Sequence, residues 1–494
     1  MIKKIIQTGI AFVLGFLSFC TTAQTKQEQP NIVFILCDDL GYGDVQSLAP
    51  ETSKIKTPHI DQLTREGMVF TDAHSGSSVC TPTRYGIMTG RYSWRTELQR
   101  GVVQGFAPDL IKEDRPTIAN FLKNQEYHTA IIGKWHLNFQ YLDPITKTAI
   151  EKKSRKSLPP IGSRIPDGPV DRGFDYYHGF HHAGDMKAVI ENDAVILHED
   201  EINMLPRLTQ KSVEYINNQA KAKEGKPFFL YVPLGSPHTP IVPSKEWQGK
   251  SGLGDYADFV MQTDATVGAI SKAIEANGLS KNTIVIFSSD NGCSKAANIP
   301  NLERQGHIVS AGYRGSKADL WDGGHRVPFI VKWPNKIASG STSKELICLT
   351  DIFASLSDIT GAPMPAKSGE DSVSFLPALF GNPIHSTRMG VIHHSISGHF
   401  AYRKGPWKLL LAQGSGGWSS PSEKESKDMP HVQLYDIEND PAETTNLYEK
   451  HPEIVKELLL QLESDVFNGR ATKGQASKND INKIVLWKSG KKNK

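Results

Sequence analysis

Asn31-Ile-Val-Phe-Ile-Leu-Cys37, followed at once by Asp38-Asp39, is an apolar run of strand length that ends in two acids. It lacks the polar alternation of a half-exposed strand, so it reads as a strand covered on both faces. Three more runs repeat the pattern: Thr129–Ile132 before Gly133-Lys134-Trp135-His136, Phe228–Leu234 before Ser236-Pro237-His238, and Thr283–Ser289 before Asp290-Asn291-Gly292. Helical patterns separate them, at Thr57–Gly67, Arg115–Glu126, Leu208–Lys223 and Asp255–Asn277. Alternating strands and helices imply an α/β domain with a largely parallel sheet, and such sheets bind ligands beyond the carboxyl ends of their strands. All four polar clusters are then expected on one rim.

A Gly-punctuated loop, Ser310–Lys317, leads through Trp321-Asp-Gly-Gly-His-Arg-Val-Pro328 to a further strand-like run, Phe329–Trp333. Beyond about Gly361 the texture changes to Pro and Gly turns with short strands at Gly398–Arg403, Trp407–Leu411 and Val432–Ile437. A polar loop spans Ser415–Pro430, and a closing amphipathic helix runs from Pro452 to Phe467. The expected organisation is a large α/β domain over 30–365, a smaller α+β domain on an antiparallel sheet over 366–470, and a basic tail over 471–494.

At 494 residues the chain is long for one hydrophobic core, and 38% hydrophobic with 22% charged residues suits a globular protein. Lys3 and Lys4, an apolar run from Gly9 to Phe19 and Thr21-Thr22-Ala23 form the three zones of a secretory signal peptide, residues 1–23. The run is too short to span a bilayer. Cleavage is read after Ala23, which makes the protein periplasmic or secreted. The alternative, lipidation at Cys20 with a membrane contact, is opposed by bulky Phe19 before that cysteine. The net charge of +3 sits at the ends: Lys3 and Lys4 at one, seven Lys against Asp480 in residues 471–494 at the other. The body is mildly acidic, which argues against nucleic acid as partner, and the tail reads as a solvated end. Cys37, Cys293 and Cys348 make no disulfide framework, though one unnamed pair stays open.

Chemistry concentrates at Cys80-Thr-Pro-Thr-Arg84, continued by Tyr85-Gly-Ile-Met-Thr-Gly-Arg-Tyr92. Pro82 fits a first helical turn, so Cys80 lies at a helix N-terminus, where anionic groups are favoured and a thiolate nucleophile is the direct reading. Asp38, Asp39, Asp290 and Asn291 offer four oxygen-bearing side chains, a set suited to Ca2+ or Mg2+ more than to zinc.

The Cys-x-Pro-x-Arg string with its downstream Thr-Gly-Arg-Tyr resembles the signature of the type I sulfatases of the alkaline phosphatase-like superfamily. The resemblance runs from about Asn31 to Asn446, ending on Leu434-Tyr-Asp436 and Asp440-Pro-Ala-Glu443. It implies that Cys80 is oxidised to formylglycine by a formylglycine-generating or anaerobic sulfatase-maturating enzyme. One hydroxyl of the aldehyde hydrate would attack sulfur, and the second would expel sulfate as the aldehyde reforms, a release that a plain Ser or Cys cannot perform. Asp38, Asp39, Asp290 and Asn291 would hold a divalent ion, Ca2+ ahead of Mg2+, with an oxygen of modified Cys80. Lys134 and Lys317 would bind sulfate oxygens, and Arg84 would point at the nucleophile or the sulfate. His238 would act as general acid for the leaving alcohol, and His136 would hydrogen-bond the hydrate and act as base.

Three positions depart from the common pattern: Asn138 and Ser316 where Gly often stands, and Asp322 where Glu does. Candidates for substrate recognition are Trp94, Arg95, His178, His181, His182, Asp185, His393, His394 and His399. The expected substrate is a sulfated polysaccharide, algal (ulvan, carrageenan or fucoidan) or a glycosaminoglycan. Two other readings stand beside this one: a phosphoester or phosphonate hydrolase of the same superfamily, and a non-catalytic polysaccharide-binding protein whose Cys80 stays unmodified.

Overall fold

The computed structural model describes residues 29–154, 157–222 and 224–488. The expected signal segment with Cys20, and the tail beyond residue 488, lie outside the described residues.

Every residue of the Asn31–Asp38 strand is buried. Side chains alternate across a strand, so Ile32, Phe34 and Leu36 enter one apolar layer while Val33, Ile35 and Cys37 enter the other. Each such aliphatic side chain contributes about 1.5–3 kcal/mol when fully buried. This strand lies inside a ten-stranded sheet whose spatial order is Ser341–Ser343, Met68–Phe70, Phe329–Lys332, Thr283–Ser289, Asn31–Asp38, Phe228–Pro237, His128–Lys134, Tyr176–Phe180, Ala188–Glu191 and Ala194–His198. The five strands from Thr283–Ser289 to Tyr176–Phe180 are parallel. Phe329–Lys332 is antiparallel to its neighbours on both sides, and Ala188–Glu191 pairs antiparallel on the far side, so the sheet is mixed.

Four of the five parallel strands are the runs expected from sequence. The fifth, Tyr-Tyr-His-Gly-Phe, escapes that reading because His178 and Gly179 interrupt its apolar character. Gly179 pairs with Gly133, and a Cβ on it would lie 1.9 Å from the Gly133 carbonyl oxygen, so the close approach of these strands excludes a side chain.

Helices Pro58–Glu66, Met204–Lys221 and Asp255–Ala276 cover one face; Cys80–Thr89, Ile118–Asn124 and Ile352–Thr360 cover the other. The helix expected from Arg115 starts only at Ile118. Thr117 Oγ1 accepts from the Asn120 amide and Asn120 Oδ1 accepts from the Thr117 amide, both at 3.1 Å, a reciprocal cap that sets the start.

A separate four-stranded antiparallel sheet, Val391–His394, Phe400–Lys404, Trp407–Leu410 and Gln433–Asp436, forms the smaller C-terminal unit. Helix Pro452–Phe467 lays Leu458, Leu462 and Val466 against Phe400, Tyr402, Leu409 and Leu434. The stretch after it, read as solvated, instead returns to the large domain. The Asp480 amide donates to Arg95 O (2.8 Å), Arg95 Nη1 to Asn479 Oδ1 (3.1 Å) and Arg91 Nη2 to Asp480 Oδ1 (3.1 Å). Asn479, Asp480 and backbone groups dock it on Arg91 and Arg95, and Leu486, with Ile484 and Trp487, packs into the core of the C-terminal unit. Cys37, Cys80, Cys293 and Cys348 are all free, so the pair left open by sequence does not form among the described residues. No described helix is long and apolar enough to cross a membrane.

Candidate active site

Parallel strands bring their carboxyl ends to one edge, and register then decides which residues meet. Cys37 pairs with Ser289 and Asp38 with Pro237, so Asp38-Asp39, Asp290-Asn291 and His238 converge within one or two residues of each other. Asp39 turns back with φ 66°, a left-handed conformation costing about 1–3 kcal/mol for a residue with a Cβ, and His136 does the same at φ 57°. Helix Cys80–Thr89 aims its first residue at this edge. Pro82 is its third residue, where a missing N–H removes no helical hydrogen bond. Gly90 ends the helix at φ 65°.

The result is a buried cage of alternating charge. Lys134 Nζ lies 2.5 Å from Asp38 Oδ2, Lys317 Nζ lies 2.5 Å from Asp39 Oδ1, and Arg84 donates from Nε and Nη2 to Asp290 Oδ2 at 3.0 and 2.8 Å. Cys80 Sγ sits between them, 3.4 Å from Asp38 Oδ1 and 3.4 Å from Lys317 Nζ. Burial opposes ionisation of Asp38, but Lys134, His238, Arg84 and Lys317 together outweigh it and hold that carboxyl well below the usual range. Asn291 donates through Nδ2 to Asp39 Oδ1 at 2.7 Å, whereas its Oδ1 is buried with no donor. Ligand atoms of Asp38, Asp39, Cys80 and His238 lie within 4.8 Å of one another. Carboxylates plus an orphaned amide oxygen fit a hard divalent cation.

Above the cage opens a cleft of about 400 Å³ lined by Cys80, Lys134, His136, His182, His238, Lys317, Gln104, Lys152 and Trp418 among others. His136 Nε2 meets Val103 O at 3.1 Å, and its Nδ1 is buried without a partner. His238 fixes Nδ1 on Thr239 O (2.5 Å) and sets Nε2 3.6 Å from Asp39 Oδ2. Arg84 does not line the cleft; it stands behind, orienting Asp290. Burial, then the Asp38 carboxylate, push the Cys80 thiol well above its ordinary value. A raised thiol pKa keeps the neutral form at pH 8, so the direct thiolate reading fails for the unmodified side chain. Protein made without maturation should therefore alkylate at Cys80 with iodoacetamide at least ~10-fold more slowly than free cysteine at pH 8. Mass spectrometry of the peptide checks this, and labelling at the free rate contradicts it.

The sulfatase family matches residues 30–362 of this sequence. The chain belongs to that family. N-acetylgalactosamine-6-O-sulfatase of Bacteroides thetaiotaomicron is 32% identical over 92% of this chain and 97% of its own, and arylsulfatase A of Bos taurus is 30% identical over 87% and 85%. A solved Bacteroides thetaiotaomicron structure, from work on the metabolism of multiple glycosaminoglycans, superposes with a TM-score of 0.76 at 28% identity, covering 89% of this chain and 99% of that one.

The departures of this sulfatase from the common pattern have local reasons. Asn138 adopts φ 72°, which Asn tolerates better than most residues, and its Oδ1 accepts from the Gly105 amide at 3.0 Å. Ser316 does not have the positive φ that would require glycine, and its Oγ meets Ser419 Oγ at 3.4 Å. Asp322 pairs with Lys408 (2.7 Å) and Arg326 (3.0 Å), a structural role away from the cleft.

Of the nine substrate candidates only His182 lines the cleft. Trp94 is core, and Arg95 forms a buried two-pronged pair with Asp371. His178 is buried in a strand, and His181 Nε2 accepts from the Asn138 amide. Asp185 caps the turn at His182, accepting from its amide at 2.9 Å. His393 stacks on His325, His394 packs on Phe400, and His399 is buried with Nδ1 on Leu411 O. The wall is instead built by Gln104, Lys152 and Trp418, which stand in loops with no motif around them. Trp418, 40% exposed in the Ser415–Pro430 loop, is the one a sequence reading could have marked as an aromatic out of place.

Proposed function

We propose that this sulfatase is exported and removes sulfate esters from a sulfated polysaccharide or its oligosaccharides, with Cys80 matured to formylglycine beside a bound Ca2+. The observation that carries the reading is Cys80 at the floor of a cleft, between Asp38 and Lys317, over a carboxylate cage with an unsatisfied Asn291 Oδ1. Formylglycine supplies a hydrate whose two hydroxyls serve attack and release, and the cation supplies positive charge next to it.

The chain's own residues do the rest. Asp38, Asp39 and Asp290 balance Arg84, Lys134 and Lys317 in formal charge, so a divalent cation leaves the site positive, ready for a sulfate ester and a developing oxyanion. Lys134 and Lys317 line the cleft, where their ammonium groups can hold sulfate oxygens. His238, with Nδ1 fixed on the Thr239 carbonyl, presents Nε2 as the proton carrier for the departing alcohol. His136, with Nδ1 buried and free of partners, takes the proton when sulfate is released. Trp418 offers a sugar a flat apolar face, and Lys152 and His182 suit neighbouring anions. A 6-O-sulfated N-acetylgalactosamine stands first among substrates because a 32% identical relative bears that activity in its name.

The test uses mature protein and a panel of defined sulfated oligosaccharides beside a phosphate ester. Sulfate release that stops on chelation and returns with Ca2+ is expected; phosphate ester hydrolysis without sulfate release would falsify the proposal. Trp418→Ala and Lys152→Ala should each raise KM by roughly 10-fold with kcat changed little, since both act on binding away from the sulfur. Steady-state kinetics on an oligosaccharide checks this, and an unchanged KM removes these residues from the binding wall.

A further inference from the structure

Asp44 is completely buried, yet it is not one of the residues whose ligand atoms cluster at Cys80. Burying a carboxylate is costly unless donors surround it, and here three do so. The Gly41 amide donates to Oδ2 at 2.7 Å, the Tyr256 hydroxyl donates to the same oxygen at 2.5 Å, and His307 Nε2 faces Oδ1 at 2.8 Å. His307 is itself fixed. Its Nδ1 accepts from the Lys54 amide at 3.1 Å, which leaves the ring hydrogen on Nε2, aimed at Asp44.

The same network reaches Asp39. Tyr256 stands in the first turn of helix Asp255–Ala276, and its hydroxyl also lies 3.2 Å from the Asp39 carbonyl oxygen, so one O–H serves both acceptors as a three-centre bond. The Asp39 C=O and the Gly41 N–H are thereby tied to one Tyr–Asp pair. Between them the Leu40 amide donates to Ser289 Oγ at 3.0 Å, so each of residues 39–41 has a backbone group pinned. Behind the turn lies the backbone that follows His307: a Cβ on Gly41 would come within 2.2 Å of the Val309 oxygen, and one on Gly43 within 2.0 Å of that of Ile308. The clamp acts on a residue that does not hold its conformation by itself, since Asp39 carries a Cβ at φ 66°. Because φ sets where Cβ points relative to the strand before it, the clamp also fixes the direction of the Asp39 carboxylate.

We infer that Tyr256 and Asp44, with His307 behind them, are positioning residues that hold Asp39 in its left-handed turn and so aim its carboxylate at the divalent cation, a role that rests on the cage being a cation site. None of the three lines the cleft, so contact with substrate does not account for them. A ligand aimed in advance loses less freedom when the ion binds. Removing a partner behind a metal ligand typically costs about 10–100-fold in affinity.

The test is isothermal titration of Ca2+ into the matured full chain after stripping with a chelator, with thermal stability in EDTA read beside it. Tyr256→Phe, which removes one oxygen and keeps the ring, should raise the Kd for Ca2+ at least ~10-fold. Tyr402→Phe is the control. It deletes a hydroxyl that donates to the buried Asp465 at 3.1 Å in the C-terminal unit, so it should lower stability as Tyr256→Phe does and leave the Kd unchanged. If Tyr256→Phe does not fold, Asp44→Asn takes its place with the same expected rise. No Ca2+ binding by the wild type overturns the cation site and this role together. Wild-type binding with an unchanged Kd in folded Tyr256→Phe, or an equal rise in Tyr402→Phe, overturns the positioning role alone.

Discussion

Cys80→Ala lowers kcat on a sulfate ester by at least ~10⁴-fold, because the position that becomes the attacking group is gone and nothing else on the cleft floor is a nucleophile. Asp38 and Asp39 are bound to Lys134 and Lys317, and His136 and His238 are placed to move protons, not to attack. Stability should hardly move. Cys80 has only its 3.4 Å contacts to Asp38 and Lys317, and shortening Cys to Ala in a core costs about 1 kcal/mol or less. Released sulfate, read beside circular dichroism and a thermal scan, checks both halves. The companion measurement is the intact mass of the Cys80 peptide from active protein, expected about 18 Da below the thiol form because sulfur and two hydrogens leave and one oxygen enters. Activity in Cys80→Ala, or active protein with only the thiol mass, ends the proposed mechanism.

Asp371→Ala should lower stability by about 3–5 kcal/mol, the largest effect expected away from the chemistry. Asp371 is fully buried and accepts four hydrogen bonds, from Arg95 Nε (2.8 Å), Arg95 Nη2 (2.7 Å), the Tyr92 amide (2.8 Å) and the Ala471 amide (2.9 Å). Removing it leaves the buried guanidinium, which lies over the Trp94 ring, without its carboxylate, and takes away the contact to the Ala471 amide that helps hold the segment after helix Pro452–Phe467. Equilibrium denaturation gives the stability change. The protein that remains folded should keep its KM, since Arg95 faces the C-terminal segment and not the cleft. A loss under about 1 kcal/mol contradicts the structural role, and a raised KM at full stability returns Arg95 to the substrate.

The sequence reading went furthest where one residue's chemistry and its neighbours in the chain are enough. The four apolar runs declare themselves as strands because burial on both faces leaves no polar position. Their terminal acids and bases are legible because a parallel sheet must deliver them to one edge. The strand Tyr176–Phe180 was not legible, since a buried His and a glycine required by its neighbour break the pattern. Histidines misled most. His178, His181, His393, His394 and His399 are buried here, and burial of an imidazole depends on which carbonyl or ring from distant chain segments happens to satisfy it.

Sequence alone determined the α/β class, the separate antiparallel unit, membership of the sulfatase pattern through Cys80–Tyr92, and which residues gather at the strand ends. Tertiary structure alone decided that Arg84 orients Asp290, that Trp418 and Lys152 wall the cleft, that residues 471–488 dock onto Arg91 and Arg95, and that Asp44, Tyr256 and His307 meet behind Asp39. The division has a physical cause. Strand burial and helix starts are set by contacts a few residues apart, which leave a period or a cap in the chain. Clefts and buried polar clusters are set by side chains hundreds of residues apart, as Asp44 and Tyr256 are, and no local pattern records such a pairing until the chain has packed.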